Sequence, residues 1–301
     1  MMVPPIDCTV SCGTLASVRG ALSWATAELG RGGVESSRRV AEDLLAHSLE
    51  IERGRLYLED DRCLSSGESA AIRYLVAERR SGRPTAYIMG RVGFYNLILN
   101  IDRRALIPRP ETELLIDRAL IRLNESAHRR SRVVDIGCGC GNIALALTRE
   151  YPDAVVMASD ISPVALDLAR ANARILGMDG RVSFREGDLF EPWSEFREGG
   201  FDLILANPPY LNDREWARTP PEVRMYEPAV ALQGGLDGLD VIRRIVQETP
   251  RYLKPGGHLI FEIGAGQGEA VRELLEANKG LTFSRITRDY GGRDRVVEAD
   301  K

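Results

Sequence analysis

The chain has 301 residues, of which 44% are hydrophobic and 28% charged, so it is long enough for two soluble globular domains. No apolar run approaches the roughly 20 residues that a membrane span needs, which excludes a transmembrane protein. The formal net charge of −4 disfavours broad electrostatic binding to nucleic acid. The first twenty residues have the pattern of neither a secretory signal nor a transit peptide, so we expect a cytoplasmic protein.

The N-terminal part of the chain, residues 1–81, has a helical pattern from about residue 14 onward. Apolar residues such as Val40, Leu44 and Leu45 recur at three- and four-residue spacing, which is typical of amphipathic helices. Serines are placed to cap two of these helices: Ser36 or Ser37, and Ser65 or Ser66. Residues 1–81 are therefore predicted to form a small helical domain.

Residues 82–107 alternate apolar and polar side chains between glycine and Asn-Asp breaks, a pattern that predicts a short β-hairpin linker. Pro108 and Pro110 end this segment. The sequence ETELLIDRALIRL that follows begins a helix, with acidic residues in the first turn where the helix dipole favours them.

From residue 130 onward, strand and helix patterns alternate along the chain, beginning with SRVVDIG, NIALALTREYP, AVVMASDIS and PVALDLARANARILGM. Such alternation predicts parallel strands joined by crossover helices. The terminal segments LTFSRITRD and RVVEAD are predicted to form an antiparallel pair. Residues 108–301 are thus predicted to be an α/β domain with a doubly wound, mostly parallel seven-stranded sheet.

A glycine-rich turn, DIGCGCGN, follows the first strand of this sheet and opens a helix. Glycines allow a ligand to lie against the backbone, and the helix N-terminus favours a ligand carboxylate. The spacing is G-x-G-x-G, with Asn142 at the third glycine position of a dinucleotide site, which disfavours a dinucleotide. Cys138 and Cys140 are predicted to be small turn residues, because no second Cys or His pair lies nearby to complete a metal site.

Two aspartates lie at the ends of the next two strands. Asp160 lies where a carboxylate can accept both hydroxyls of a ribose, and Asp188 lies where an adenine amine could be bound. Each of them alone could equally be a helix cap or a turn residue. Their order on successive strands predicts a bound adenosine without a pyrophosphate. The ligand that fits is S-adenosylmethionine, with its carboxylate at the glycine turn.

The fourth strand ends in Asn207-Pro208-Pro209-Tyr210, at the edge of the sheet where ligands bind in such folds. The prolines prevent a helix and fix the carbonyl directions. The Asn207 side-chain oxygen and the Pro208 carbonyl are predicted to accept both hydrogens of a planar NH2 group and to aim its lone pair at the sulfonium methyl. Tyr210 is expected to pack against this group with its hydroxyl in solvent. The alternative is a simple loop signal after a strand.

Together these motifs resemble a known family. DIGCGCGNIALAL, ASDIS, GDLF and ANPPY are similar to class I S-adenosylmethionine-dependent methyltransferases of the amino-methylating type. A narrower resemblance, to the protein-glutamine N5-methyltransferases that modify peptide chain release factors, rests on IPRPETELLID, NPPY, EVRMYEPAVALQGGLDGLDVIRRI, FEIGAGQG and DYGGRDRVVEA. It covers nearly everything from about residue 15 onward.

The resemblance implies an activity and its partners. The cofactor would be S-adenosyl-L-methionine, and the substrate the glutamine of the Gly-Gly-Gln motif of release factors. Residues 1–81 would bind the release factor, and residues 108–301 would form the catalytic domain. The 82–107 linker would set the distance between the release factor and the catalytic domain. We expect a monomer with no membrane association and no requirement for nucleic acid.

The resemblance also implies roles by position. Cofactor contacts are expected at Gly137, Cys138, Gly139, Cys140, Gly141, Asp160, Asp188, Leu189 and Asn207. Substrate binding is expected at Asn207, Pro208, Pro209 and Tyr210, and catalysis at Asn207, Pro208 and Tyr210. Arg109 and Glu111 lie in a segment expected over the cofactor pocket, although Arg-Pro-Glu is also a favourable helix start. No metal is expected, and no role is predicted for His47, His128 and His258.

Two alternatives remain. The first is a methyltransferase acting on an exocyclic amine of rRNA or DNA, which a basic N-terminal region or a target-recognition insertion would favour; neither is seen. The second is a non-catalytic adaptor that binds S-adenosylmethionine. The intact Asn-Pro-Pro-Tyr motif disfavours an adaptor, because a scaffold does not need two aligned acceptors for an amine.

Overall fold

The computed structural model describes residues 15–125 and 130–301. The chain divides into two compact units, Met1–Gly90 and Arg91–Lys301. Residues 1–14, which include most of the segment tested for a targeting signal, lie outside the described residues, as does His128. Within the two described ranges, no helix is both long and apolar enough to cross a membrane.

The first unit is helical, as predicted. Its helices are α1 (Val18–Arg31), α2 (Ser37–Ser48), α3 (Arg55–Leu58), α4 (Ser66–Arg80) and α5 (Thr85–Met89). Ser65 caps α4 in a reciprocal box with Glu68, and Ser36 lies at the N-cap of α2 without a side-chain cap bond. Leu22, Leu44 and Leu45 are in its buried core. Helices α3 and α5 are too short to show a periodic pattern in the sequence.

The second unit begins with the hairpin β1 (Arg91–Phe94) and β2 (Leu97–Asn100). Its turn residues Tyr95 and Asn96 have φ of 42° and 62°, the left-handed pair that a tight hairpin turn requires. Buried Asn172 accepts the Asn100 N–H at 2.8 Å and donates to the Asn100 and Cys140 carbonyls at 3.0 Å each. The hairpin is therefore tied to the sheet domain, whereas the first part of the 82–107 segment forms α5.

The sheet of the second unit has seven strands. They are β3 (Arg132–Ile136), β4 (Val155–Asp160), β5 (Val182–Glu186), β6 (Phe201–Ala206), β7 (Leu253–Glu262), β8 (Thr282–Arg288) and β9 (Asp294–Asp300). The accompanying helices are α6 (Glu113–Glu125), α7 (Asn142–Glu150), α8 (Pro163–Ile175), α9 (Asp213–Arg218), α10 (Pro221–Tyr226), α11 (Asp240–Tyr252) and α12 (Gly268–Glu276). Short 3-10 turns lie at Pro110–Thr112, Glu191–Phe196 and Ala229–Ala231.

The strand order is β5-β4-β3-β6-β7-β9-β8, with β9 antiparallel to both of its neighbours and the others parallel. This confirms the predicted doubly wound sheet and the antiparallel C-terminal pair. The chain moves outward in opposite directions from β3 and β6, so a crevice forms at their carboxyl ends. The glycine turn follows β3, Asp160 ends β4, and Asn207 follows β6.

Candidate active site

A cavity of about 230 Å³ lies at this edge of the sheet. Its wall includes every predicted cofactor residue except Gly141, together with Pro208, Pro209 and Arg109. Tyr210 is not among the residues that line it, and Glu111 is exposed in the adjoining 3-10 turn. The structure thus brings most of the sequence-predicted site together and leaves three candidates outside the cavity wall.

The glycine turn depends on backbone conformations that glycine adopts without strain. Gly137, Gly139 and Gly141 have φ of 75°, 55° and 84°. A Cβ on Gly141 would lie 3.2 Å from both Ala169 Cβ and Leu145 Cδ1, so Gly141 packs against protein rather than against the cavity. A Cβ on Gly137 would meet no atom of residues 15–125 or 130–301 within 4 Å. Gly137 therefore keeps space open on the cavity side of the turn.

Asp160 braces the turn from the neighbouring strand. Its Oδ2 accepts the Gly139 N–H at 2.7 Å, and its Oδ1 accepts the Ser162 N–H at 2.8 Å. The Ser159 carbonyl accepts the N–H groups of Gly137 and Cys138 at 2.8 and 2.9 Å. Burial raises the pKa of Asp160. Each carboxylate oxygen retains a second lone pair, so the brace is compatible with a bound ribose.

The other predicted nucleoside residues, Asp188 and Leu189, also line the cavity. Arg244 Nη2 donates to Asp188 Oδ2 at 2.7 Å, a partner that the sequence pattern did not reveal. Leu189 has a left-handed φ of 49°, and its carbonyl accepts the Ser159 hydroxyl at 3.1 Å. Asp188 is therefore already paired, and the apolar Leu189 offers the cavity a surface for a flat ring.

A buried carboxyl lies beneath the turn. Asp135 Oδ2 accepts the Ala144 N–H at 3.2 Å, whereas Oδ1 has no hydrogen-bond partner in the described part of the chain. Burial raises the pKa of Asp135 to about 8. The free thiols of Cys138 and Cys140 are buried as well, and burial raises the pKa of Cys140 to about 12. Both act as small, unreactive turn residues at neutral pH.

At the Asn207 corner, the carboxamide belongs to a chain of hydrogen bonds. Asn207 Nδ2 donates to Thr112 Oγ1 at 3.1 Å, and the Thr112 hydroxyl donates to Glu262 Oε2 at 2.6 Å. The Tyr210 hydroxyl donates to Glu262 Oε1 at 3.3 Å, so the expectation that it lies in solvent was wrong. The phenol instead donates a hydrogen bond to a buried carboxylate. Glu262, like Thr112, is almost completely inaccessible to solvent, so its oxygens need hydrogen-bond donors within the protein.

A second glycine-rich segment, residues 234–238, packs against the backbone of this corner. A Cβ on Gly234 would lie 2.7 Å from the Pro209 carbonyl oxygen, and one on Gly238 would overlap the Tyr210 carbonyl oxygen. Gln267 Nε2 donates to the carbonyls of Tyr210 and Gly238 at 3.0 and 3.2 Å. These contacts fix the positions of the Pro209 and Tyr210 carbonyls, which the two proline rings alone do not fix.

Arg109 forms part of the cavity wall through a long-range ion pair. Its Nη2 donates to Glu227 Oε1 at 2.7 Å, and the Ile107 N–H donates to Glu227 Oε2 at 3.1 Å. The Glu227 carboxylate is nearly inaccessible to solvent. One carboxylate thus holds the segment before α6 against the segment after α10.

Sequence reasoning missed Thr112, Glu227, Glu262 and Gln267. Glu262 carried the signal that identified Asp160, a charged residue ending an apolar strand, in FEIG. Thr112 carried none, because a threonine at a helix start is ordinary N-terminal chemistry.

The residues present fit a bound S-adenosylmethionine. Gly137 leaves space at the turn, and the N-terminus of α7 is capped by Gly141, which brings no side chain of its own to that helix end. Asp160 has acceptor capacity for hydroxyls. With this strand order, the fold and the site define a class I S-adenosylmethionine-dependent methyltransferase.

Comparison with known proteins makes the assignment more specific. Residues 112–222 match the methyltransferase small domain, and residues 20–90 match the PrmC N-terminal domain. Release factor glutamine methyltransferase of Geobacter sulfurreducens is 42% identical over 93% of this chain and 95% of its own length. The enzymes of that name from Xylella fastidiosa and Cereibacter sphaeroides are 43% identical over 85% of this chain and 41% over 93%, covering 90% and 96% of their own lengths. The chain belongs to the release factor glutamine methyltransferase family.

Proposed function

We propose that this methyltransferase modifies the side-chain amide nitrogen, N5, of the glutamine in the Gly-Gly-Gln motif of peptide chain release factors. The observation that carries the proposal is the orientation of the Asn207 carboxamide. Its NH2 group donates to Thr112, and its Oδ1 accepts no hydrogen bond from the residues that the structure describes, so this oxygen is an available acceptor on a residue of the cavity wall. An acceptor at that position suits a substrate that presents N–H groups.

Asn207 Oδ1 and the Pro208 carbonyl are proposed to hold the two hydrogens of the glutamine amide. An amide nitrogen is a weak nucleophile because its lone pair is delocalised. Holding both hydrogens orients the nitrogen and favours its pyramidalisation as it gains a methyl group and later loses one proton. No strong base is required, since the proton leaves after the new bond has begun to form. Tyr210 is proposed to support this acceptor pair through Glu262.

The cofactor is proposed to lie along the wall between the glycine turn and Leu189. S-adenosylmethionine supplies a methyl group on a positively charged sulfur. Gly137, Cys138, Gly139 and Cys140 would face its amino acid part, while Gly141 would keep the turn closed against α8. Asp160 would accept the ribose hydroxyls, and Leu189 with Asp188 would contact the adenine.

The helical unit, residues 1–81 in the sequence interpretation, is proposed to recognise the release factor. We expect a cytoplasmic monomer that needs no nucleic acid for activity, in keeping with its net charge of −4. Gel filtration of the pure enzyme, and activity after nuclease treatment, would check these two expectations.

The substrate assignment is tested by incubating the enzyme with methyl-labelled S-adenosylmethionine and a purified release factor, and then mapping the label by mass spectrometry. The matched control is the same release factor with its Gly-Gly-Gln glutamine replaced by glutamate. The proposal expects one methyl group on the glutamine side chain and none on the control. Label in added rRNA or DNA, or on another residue, would contradict it.

A further inference from the structure

Glu262 is a buried carboxylate that joins two separate parts of the active site. It is the last residue of β7 and is 1% exposed. One of its oxygens accepts the Thr112 hydroxyl at 2.6 Å, and the other accepts the Tyr210 hydroxyl at 3.3 Å. Burial raises the pKa of Glu262, and the nearby positive charge of Arg295 opposes that shift. A buried charge is costly to maintain, so a carboxylate at this position calls for an explanation beyond packing.

The positions of the protons in this network determine the orientation of Asn207. Thr112 has one hydroxyl proton, and the short bond to the carboxylate uses it. Thr112 can then only accept a hydrogen bond from Asn207, so the Asn207 NH2 group must face it. The two ends of a carboxamide have nearly the same shape, so their hydrogen-bond partners decide which end faces which side. The carboxylate therefore places the oxygen of Asn207 on the opposite side.

We propose that Glu262 and Thr112 are positioning residues that lock Asn207 with its oxygen toward the substrate and thereby select a glutamine amide over a glutamate carboxylate. The inference rests on the proposed role of Asn207 as the acceptor for the substrate amide. An amide gives this oxygen an N–H donor. A glutamate carboxylate would bring a second acceptor, so that neither its oxygen nor Asn207 Oδ1 would have a hydrogen-bond donor. Leaving buried polar groups unpaired discriminates more strongly than losing an apolar contact.

A reversed Asn207 would change this selection. Its NH2 group would then meet the substrate, where it could donate to a carboxylate and would repel the amide hydrogens. Thr112→Val removes the hydroxyl that fixes the orientation. Glu262→Gln leaves one acceptor for two hydroxyl donors, so the Thr112 proton can turn toward Asn207 and stabilise the reversed orientation.

The test uses full-length enzyme carrying Thr112→Val, Thr112→Ser or Glu262→Gln. The matched control is Thr249→Val, the same substitution at another fully buried threonine of this unit, whose hydroxyl has no hydrogen-bond partner in the described residues. The measurements are kcat and KM on the release factor, the Kd for S-adenosylmethionine, thermal stability, and inhibition by the release factor in which glutamate replaces the target glutamine.

We expect Thr112→Val and Glu262→Gln to lower kcat by about ten- to a hundredfold, since each disturbs a hydrogen bond that orients a reacting group. The glutamate-bearing release factor should inhibit both variants more strongly, relative to substrate KM, than it inhibits the wild type. Thr112→Ser should restore most of the activity, and Thr249→Val should match the wild type. The Kd for S-adenosylmethionine should stay within about threefold throughout.

The proposal is overturned if Thr112→Val and Glu262→Gln retain wild-type kcat and inhibition while Asn207→Ala is inactive, a result that would leave the role of Asn207 intact. It is also overturned if both variants lose activity only in proportion to lost cofactor affinity or thermal stability, with the inhibition ratio unchanged. Full activity of Asn207→Ala would instead contradict the role of Asn207 itself.

Discussion

The glycine turn and the Asn207 corner lie on the same edge of one sheet but are built in different ways. The turn is held mainly by backbone groups, and Asp160, which braces it, is 21 residues from Gly139. The corner is held by side chains from distant segments, with Thr112 95 residues from Asn207 and 150 residues from Glu262. The difference predicts that damage to the turn weakens cofactor binding, whereas damage to the corner slows methyl transfer.

The largest effect is expected from Gly238→Ala, which pushes a Cβ into the Tyr210 carbonyl oxygen. The corner must shift, so we expect loss of most methyl transfer and a fall of about 2–4 kcal/mol in the free energy of unfolding. Chemical denaturation and a methyl-transfer assay measure the two effects. Gly256→Ala is the control, because Gly256 also has a left-handed φ of 77° but a Cβ there would meet no atom of the described residues within 4 Å. Equal losses of methyl transfer and stability in the two variants would exclude packing against the corner as the cause.

Asp160→Ala is expected to act on the other region. Loss of a charged acceptor that also braces Gly139 should weaken binding of S-adenosylmethionine by about 1.5–3 kcal/mol, or roughly ten- to a hundredfold. Calorimetric titration measures the Kd directly. Asp188→Ala is the comparison and should have the smaller effect, because Asp188 is partly exposed and paired with Arg244. An unchanged Kd in Asp160→Ala would refute the ribose assignment.

An effect of another kind, on stability alone, is expected from Asp135→Asn beneath the turn. The folded-state pKa of Asp135 is about 8, above its ordinary value of 3.8, so the folded chain keeps a proton that the unfolded chain loses. Wild-type stability should therefore fall as pH rises between these values, and the variant should lack this part of the slope. Thermal unfolding between about pH 5 and pH 8 checks this. Parallel curves for the two proteins would show that Asp135 is ionised in the fold.

The smallest effect is expected from Cys138→Ser in the turn. The two side chains are of similar size, and the thiol is buried and unreactive, so the Kd for S-adenosylmethionine should change by less than about threefold. The same titration measures it. A loss as large as that of Asp160→Ala would show that the sulfur makes a specific contact with the cofactor.

The same contrast explains what the sequence could predict. Hydrophobic patterns predicted the longer helices of the first unit, the hairpin and the order of strand and helix types, because each is a property of neighbouring residues. The glycine turn, Asp160 and Asn207 could be found because they lie at the ends of strands that meet at one edge of the sheet. The contacts of Tyr210 and Asp188 could not be found, since Glu262 and Arg244 lie 52 and 56 residues further along the chain. Only the folded sheet brings these groups together.

The measurement that tests the central claim most directly is methyl transfer by Asn207→Ala to a purified release factor, made alongside its Kd for S-adenosylmethionine. If the Asn207 carboxamide holds the substrate amide, transfer should fall by about 30- to 1,000-fold, or 2–4 kcal/mol of transition-state stabilisation, while the cofactor Kd stays within about threefold. Wild-type transfer by this variant, or a loss explained entirely by weaker cofactor binding, would contradict the claim.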